Sequence, residues 1–355
     1  MAQSYLRAEE HIPEKAKYPV IDAHNHLWAD WNSIENIVNT MDKVGVKAYC
    51  DLTANLRIQW VKEGYDFSAG RIEDFIANAA GRYPGRFYGF TTATFCSPVS
   101  KPLFKDPTEF VDKTITVLQE HISKGALGLK ILKELGLKYR SGKGDLIRID
   151  DEALGPIWEE AGRLKIPVLI HQSDPYGFFQ SPSPDNEHYE NLKRYTSWQF
   201  YGSEYPDKEE LLRRRDNLLK NHPGTTFLLP HVANYAENLP YVAELLNANP
   251  NVYIDFSARI DELGRQPYSA RNFFLQYQDR IFFGTDMPAS PEMYRFYFRF
   301  LETMDEYFDP PGYDGKFTEP RWRVYGIGLP DQALQKIYYQ NIIKILPELK
   351  KRINI

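Results

Sequence analysis

The feature that most constrains the fold is a repeated alternation of short, β-rich runs with longer amphipathic segments. Runs rich in branched and aromatic residues predict eight strands, at 19–28, 47–53, 86–95, 126–132, 167–172, 225–234, 251–257 and 280–288. Apolar residues recur at helical spacing between several of these runs, as at 109–124, 151–165, 208–221 and 239–249. Strands that alternate with helices indicate a parallel sheet, and eight such units predict a closed α/β barrel of the (β/α)8 TIM type.

The same alternation decides the domain organisation. A length of 355 residues is compatible with two average domains or with one barrel of about 250 residues that carries insertions. No internal repeat and no linker rich in Gly, Ser or Pro divides the chain. We therefore predict a single domain over 1–355, with the barrel core at about 19–347 and an amphipathic helix near the C-terminus.

Charge and cysteine content limit the class of partner. The chain has 43 Lys and Arg against 48 Asp and Glu, and this mildly acidic balance argues against a nucleic-acid-binding surface. No run approaches the roughly 20 apolar residues of a membrane span, and the polar N-terminal segment lacks a signal-peptide core. Two cysteines cannot form a disulfide framework. We expect a cytoplasmic protein that binds a small molecule, and its oligomeric state stays open.

Aromatic residues make up 14% of the chain and concentrate in two segments outside the alternation. Residues 173–207 contain nine of them, and residues 307–330 contain six more. Long ordered loops in compact proteins are usually functional. We predict that these segments form a wall or lid over a site for a flat or ring-shaped substrate. His188, in the first segment, is a weaker candidate for reaching that site.

Four of the eight histidines lie at the ends of predicted strands. Strict alternation along the first strand places Asp22, His24 and His26 on one face. Imidazoles two residues apart on a strand are about 6–7 Å from each other, so both can reach one divalent cation at about 2.0–2.1 Å. This pair is the strongest metal-binding signal in the sequence.

His171, His231 and Asp286 follow the fifth, sixth and eighth predicted strands. Each has an ordinary explanation when it is taken alone, since a histidine can be a hydrogen-bonded rim residue and an aspartate can cap a helix. Their shared position at the carboxyl ends of strands, where barrel enzymes carry catalytic groups, instead favours one metal site built with the histidine pair.

The order of these residues resembles that of the amidohydrolase superfamily. The segments IDAHNHLW, LIHQSD, LLPHVAN, FFGTDMP and YYQNIIKIL are most similar to its amidohydrolase-related branch, which contains metal-dependent hydrolases, lactonases, hydratases and non-oxidative decarboxylases. The resemblance implies that His24, His26 and His171 bind the metal and that Asp286 binds it and accepts a proton from its water. It implies a second-metal, acid/base or substrate-orienting role for His231.

Lys130, Arg259 and Trp28 are predicted to contact the substrate. Lys130 lies on the fourth strand, where binuclear members of the superfamily carry a bridging carboxylated lysine; it could also anchor a substrate carboxylate, which we favour, or extend to solvent at the rim. Arg259 is a second anion-binding candidate, with a surface ion pair to Asp261 or Glu262 as the alternative. Trp28 could stack on a ligand or pack at the rim.

The leading hypothesis is a metal-dependent hydrolase of a small cyclic or carboxylated substrate, such as a lactone or an amide, or of a C–C bond, that uses a metal-activated water. Asp286 would take the proton of the water, and His231 would protonate the leaving group. The alternative is a non-oxidative decarboxylase of an aromatic or unsaturated acid on the same metal. A binding protein without activity is disfavoured, because no ligand is missing. Three imidazoles and a carboxylate suit one zinc ion, Mn²⁺ accepts the same set, and a second metal is not expected.

Overall fold

The strands of the barrel lie inside the predicted runs, except that β2 begins one residue earlier than predicted. The computed structural model describes residues 5–28, 33–62, 64–311 and 322–353. Its strands are β1 (Val20–Asn25), β2 (Val46–Asp51), β3 (Leu56–Val61), β4 (Gly64–Ala69), β5 (Phe87–Gly89), β6 (Leu129–Ile131), β7 (Val168–Ile170), β8 (Phe227–Leu229), β9 (Val252–Asp255) and β10 (Ile281–Phe282). All eight predicted strands are therefore present, most of them shorter than predicted. β3 and β4 were not predicted.

Eight parallel strands follow one another around the molecule. β1, β2 and β5 form one ladder, and β6, β7, β8, β9 and β10 form a second. Two sets of hydrogen bonds join the ladders: Thr91 N donates to Gly128 O at 3.0 Å between β5 and β6, and Ala23 N donates to Phe283 O at 3.0 Å between β1 and β10. Backbone hydrogen bonds thus run around all eight strands, as the predicted (β/α)8 barrel requires.

Some of the helices between the strands begin at capping residues that can be recognised in the sequence. The α-helical segments are α1 (Ile34–Val44), α2 (Ile72–Phe75), α3 (Pro107–Ser123), α4 (Glu134–Leu137), α5 (Gly155–Arg163), α6 (Tyr189–Arg194), α7 (Lys208–Asn221), α8 (Pro230–Ala233), α9 (Leu239–Ala248), α10 (Ile260–Gly264), α11 (Pro267–Gln276), α12 (Pro291–Glu302), α13 (Asp331–Gln335), α14 (Asn341–Ile345) and α15 (Glu348–Arg352). Asp106 and Asp207 cap α3 and α7, where their carboxylates accept backbone N–H groups at the helix starts. The four predicted helices correspond to α3, α5, α7 and α9.

The barrel interior is filled by small and branched side chains. Ile21, Ala23, Leu169, Leu228 and Phe282 are among the buried residues of this cluster. The C-terminal helices add Ile342, Leu346, Leu349 and Ile353 to the same cluster. The predicted C-terminal helix therefore covers one end of the barrel, and the histidines lie at the other end. None of the described helices is long and apolar enough to cross a membrane.

Two insertions stand above the carboxyl ends of the strands. β3 and β4 form an antiparallel hairpin in which Trp60 pairs with Tyr65. Residues 173–207 fold into short helical turns, Tyr176–Phe179 and Thr196–Trp198 with α6 between them, rather than into an irregular loop. Of the second aromatic segment that the sequence singled out, residues 312–321 lie outside the described part of the chain.

Candidate metal centre and substrate cavity

His24, His26 and Asp286 come together at the carboxyl ends of β1 and β10. One ligand atom of each residue lies within 4.8 Å of the others. His24 Nε2 is 3.6 Å from Asp286 Oδ2, and His26 Nε2 is 3.4 Å from Asp286 Oδ1. The two imidazole centres are 5.9 Å apart, as the spacing along the strand predicts. The predicted histidine pair at the end of β1 thus lies next to Asp286, which follows β10, where the first and last strands of the barrel meet.

A glycine allows that closure. Gly284 follows β10, and a Cβ built on it would lie 2.6 Å from His24 Cβ. Such a distance is shorter than side-chain carbons tolerate, so only glycine permits this approach of the two strands. Beyond Gly284, Asp286 N donates a hydrogen bond to His24 O at 2.8 Å. The backbone itself therefore fixes Asp286 beside His24.

Neighbouring oxygens orient both histidines. His24 Nδ1 is 2.8 Å from Asp255 Oδ2, and His26 Nδ1 is 2.8 Å from Thr53 Oγ1. Hydrogen bonds at Nδ1 fix the tautomer and direct Nε2 of each ring toward Asp286, which is the usual support of metal-binding histidines. Asp255 and Thr53 were not among the predicted site residues, although both follow the same rule of polar residues at strand ends.

The donor atoms fit a divalent cation. His24 Nε2 and His231 Nε2 are buried, and neither has a hydrogen-bond partner among the residues that the structure describes. Burial lowers the pKa values of His24, His26 and His231 well below the ordinary value, with Lys130 or Arg259 adding to the effect. Neutral imidazoles with unsatisfied nitrogen lone pairs around a carboxylate are what a metal ion requires.

His231 is held by an unusual backbone turn. His231, Val232, Ala233 and Asn234 have φ values of 59°, 56°, 53° and 59°. Left-handed conformations cost non-glycine residues roughly 1–2 kcal/mol each, and such strain concentrates at functional sites. The turn sets His231 Nε2 3.7 Å from Asp286 Oδ2. Ser257 O accepts from His231 Nδ1 at 2.8 Å and fixes the ring.

Two buried cations of α7 stabilise that turn. Lys208 Nζ donates to Asn234 O at 2.6 Å and to Asp174 O at 2.5 Å. Arg215 Nη1 donates to Ala233 O at 2.5 Å. Both side chains are completely buried. The carbonyl oxygens of Ala233 and Asn234 therefore accept hydrogen bonds from charged side chains instead of from the backbone of a helix.

His171 lies beside the group formed by His24, His26 and Asp286, although it is not part of that group among the described residues. Its ring lies 4.6 Å from that of His231, and its Nε2 contacts Asp174 Oδ1 at 3.2 Å. Asp174 in turn binds Lys133 Nζ at 2.5 Å. The metal-binding role that the resemblance implies for His171 stays a prediction.

Strict alternation along β1 is wrong at Asp22. The pairing of β1 with β2 shifts register between Asp22 and Asn25. As a result, Asn25 Nδ2 donates to Asp22 Oδ2 at 3.0 Å, although alternation would place the two on opposite faces. Thr285 and Tyr294 also donate to Asp22. Asp22 thus supports the turn after β10 and does not join the group of His24, His26 and Asp286 (the metal cluster).

Burial and two cations control the charge of Asp286. Burial raises the pKa of its carboxyl group to about 7, and the nearby Lys130 and Arg259 oppose this rise. Asp286 also has a left-handed φ of 52°. A carboxyl group with such a pKa can hold or release a proton near neutral pH.

A cavity of about 170 Å³ opens beside the metal cluster. His171, His231 and Asp286 reach it from the strand ends. Its apolar walls include Trp28, Trp60, Tyr65, Phe178, Trp198 and Phe296. Trp28 lines this cavity as predicted, and its ring lies 5.3 Å from that of His26. Two large insertions therefore supply most of the aromatic wall.

The cations of the cavity are Lys133 and Arg259. Lys130, which was predicted to bind substrate, does not line it. Lys130 is 1% exposed, so the interpretation as a solvent-exposed rim lysine is wrong. Burial lowers its pKa to about 8, and its Nζ lacks a hydrogen-bond partner within the described ranges. Lys130 instead lies close enough to His24, His26 and Asp286 to act on their pKa values, and Lys133, beyond the end of β6, is a cavity cation that was not predicted.

Arg259 faces the cavity rather than solvent. It is 7% exposed, which contradicts a surface ion pair. Its guanidinium donates to Ala258 O at 2.6 Å and lies 3.9 Å from Asp174 Oδ1. Lys133 and Arg259 therefore both approach Asp174, whose carboxylate offsets one of their two positive charges beside His171.

Comparison with known proteins agrees with the barrel. A family model described as amidohydrolase matches residues 21–347. No curated protein matches the sequence. Similar solved structures include an uncharacterised TIM-barrel protein from Bordetella bronchiseptica, with a TM-score of 0.55, 16% identity, and 94% of this chain and 100% of that chain covered.

Two further similar structures are decarboxylases. The 2,6-dihydroxybenzoate decarboxylase from Rhizobium has a TM-score of 0.54 at 14% identity, with 93% of this chain and 99% of that chain covered. A dihydroxybenzoic acid decarboxylase from Polaromonas sp. JS666, solved with bound manganese and 2-nitroresorcinol, has a TM-score of 0.53 at 13% identity, with 93% and 97% covered. At such identities the likeness shows the fold.

Proposed function

The chain belongs to the amidohydrolase family, and we propose that it is a metal-dependent enzyme that removes the carboxyl group from a small, ring-bearing carboxylic acid. The observation that carries this proposal is the composition of one cavity. Its floor reaches Asp286 and His231 at the metal cluster, its walls are aromatic, and Lys133 and Arg259 supply its positive charge. A flat anion matches all three features.

His24, His26 and Asp286 would hold the metal, with His231 as the adjacent nitrogen donor. A divalent ion bound there would polarise oxygen atoms of the substrate. Zinc suits the nitrogen-rich set, and manganese accepts it. The manganese that was found in the Polaromonas decarboxylase supports testing both ions.

The remaining residues would bind and orient the acid. Lys133 and Arg259 attract its carboxylate, while Trp28, Trp60 and Trp198 exclude water and stack against its ring. Loss of CO₂ breaks the bond between the carboxyl carbon and the ring, and the electron pair stays on the ring carbon. A proton must then reach that carbon. Asp286 faces the cavity beside His231, and it would deliver that proton.

Hydrolysis of a small cyclic substrate is the second candidate. It is favoured by the pairing of two proton-transfer groups, since His231 Nε2 lies 3.7 Å from Asp286 Oδ2. One of them would take a proton from water, and the other would protonate the leaving group. The same metal cluster would serve both reactions, so the product distinguishes them.

The test is product analysis with protein loaded with Mn²⁺ or Zn²⁺. We expect release of CO₂ from one or more hydroxybenzoates, and loss of that release in Asp286→Asn. Lys133→Met should raise KM at least tenfold, because it removes one of two cations from the cavity, whereas Lys143→Met at an exposed turn should have no effect. Hydrolysed or ring-opened products without CO₂ would show the second candidate to be correct and the decarboxylase proposal wrong.

A further inference from the structure

Glu262 and His188 line the cavity but have no part in the chemistry proposed above. Glu262 is 5% exposed and His188 is 4% exposed. Glu262 Oε2 and His188 Nε2 are buried and lack hydrogen-bond partners in the described part of the chain. The nearest carboxylate oxygen to His188 Nε2, Glu187 Oε1, is 3.7 Å away, which is beyond hydrogen-bond distance. Leaving such groups unsatisfied in the interior of a protein is unfavourable.

Glu262 and His188 share the same charged neighbours. Arg259 acts on the pKa of Asp286 at the metal cluster and also on those of Glu262 and His188. The carboxylate of Glu237 raises the pKa of Glu262 and of His188. Both groups therefore lie within electrostatic reach of Arg259, which lines the same cavity.

Both groups are neutral near pH 7. Burial raises the pKa of Glu262 to about 8, so its carboxyl group keeps its proton and offers one donor and one acceptor. Burial lowers the pKa of His188 to about 4, so its imidazole is uncharged. Neutral, unsatisfied donors and acceptors suit a neutral hydrogen-bonding group better than a second charge.

The imidazole of His188 is held in a fixed orientation. Its backbone N–H donates to Asn186 Oδ1 at 2.9 Å, and its ring packs edge-on against Phe178 at 5.2 Å. A Cβ built on Gly177 would lie 2.7 Å from His188 Cδ2, so the backbone of the aromatic segment approaches the ring as closely as glycine allows. A ligand atom that binds His188 therefore meets a preorganised group.

We propose that Glu262 and His188 form a second polar subsite, which binds a hydroxyl group on the ring of the substrate. The subsite rests on the proposed function, because Arg259 and Lys133 must hold the carboxylate for the ring to face it. A hydroxyl group donates one hydrogen bond and accepts others, so it can satisfy both unpartnered atoms. An enzyme that pairs buried polar groups with a substrate hydroxyl discriminates strongly against the analogue without it.

The test measures binding of benzoate and of the three monohydroxybenzoates to the metal-loaded protein by titration calorimetry. At least one hydroxylated probe should bind tenfold or more tightly than benzoate. Glu262→Met and His188→Phe should reduce that ratio below threefold and leave the benzoate Kd within threefold of the wild-type value. Glu262→Gln, which keeps a donor and an acceptor, should retain most of the preference.

Glu244→Gln is the matched control. It removes a carboxylate at an exposed position of α9 that does not line the cavity. The preference for the hydroxylated probe should be unchanged in this variant. An unchanged preference in Glu262→Met, or equal binding of all probes by the wild type, would overturn the subsite. Failure of benzoate itself to bind would instead overturn the proposed function, and the subsite with it.

A second readout needs no ligand. Because Glu262 has an unsatisfied buried oxygen, Glu262→Met should leave Tm unchanged or raise it, as is common when a residue serves binding rather than stability. A decrease in Tm in this variant would show that Glu262 stabilises the fold through contacts of its own, and it would contradict the subsite.

Discussion

Asp255 is the residue through which the proposed metal ligand His24 and His231 are connected. Its Oδ2 lies 2.8 Å from His24 Nδ1, while its Oδ1 accepts from His231 N at 3.1 Å and from Ser257 Oγ at 2.6 Å. One carboxylate at the end of β9 therefore orients a metal ligand and the start of the left-handed turn. Its function is to position other groups, since it does not line the cavity.

Asp255→Asn should weaken metal binding 10- to 100-fold, as loss of such supporting carboxylates typically does. The amide cannot accept from His24 and Ser257 with the charge of the carboxylate. Metal affinity is measured by competition with a chelator. Asp279→Asn, at an exposed carboxylate that pairs with Lys336, serves as the control and should keep the wild-type affinity. Equal affinities in the two variants would rule out the positioning role.

The buried Lys208 makes the free energy of unfolding depend on pH. Burial lowers its pKa in the folded state from 10.5 to about 8. Between these values the unfolded chain binds more protons than the folded one, so the free energy of unfolding rises with pH. Relative to Lys208→Met, the wild type should gain up to about 3 kcal/mol from pH 8 to pH 10.5. Urea denaturation of both proteins at several pH values measures this gain. If the free energy of unfolding changed with pH by the same amount in the two proteins, the prediction would be refuted.

At the scale of the element, the turn after β8 shows what periodicity cannot predict. The sequence correctly placed His231 after a buried strand. Nothing in the segment FLLPHVAN, however, indicates that four successive residues adopt a left-handed conformation. The hairpin of β3 and β4 did leave a signal, since Ile58 and Trp60 alternate with polar residues before Gly64. Lys133 was missed because its position depends on where β6 ends, at Ile131.

The left-handed turn should depend on Lys208 for its function. Lys208→Met removes the donor to Asn234 O, so the turn loses a charged partner and His231 shifts relative to Asp286. We expect kcat to fall at least tenfold while metal content stays at the wild-type value. Lys220→Met, at an exposed position on the same helix, should retain full activity. A wild-type kcat in Lys208→Met would mean that the turn holds its shape without the lysine.

At the scale of the whole molecule, the barrel closure makes the site from residues that are far apart in sequence. The eight strands and the approach of His24 and His26 to Asp286 could be predicted because both follow from alternating patterns and from strand ends. The contact of Gly284 with His24 could not, since it depends on how the last strand meets the first. The orientation of His171 toward Asp174 likewise depends on tertiary contacts of the aromatic segment.

Gly284→Ala should disturb the closure and the metal centre together. The added Cβ would lie 2.6 Å from His24 Cβ, so the strands must separate. We expect a loss of about 1–3 kcal/mol in unfolding free energy, typical of overpacking, with reduced metal content. Gly224→Ala, where a Cβ meets no atom within 4 Å, is the control. Equal stability and metal content in both variants would contradict the closure argument.

The metal centre is tested by the metal stoichiometry of the purified chain after equilibrium dialysis against Zn²⁺ or Mn²⁺. We expect one divalent ion per chain in the wild type and at least tenfold weaker binding when His24 and His26 are both replaced by alanine. A chain that binds no divalent ion, or a double variant that binds it as tightly as the wild type does, would show that these residues do not form a metal site.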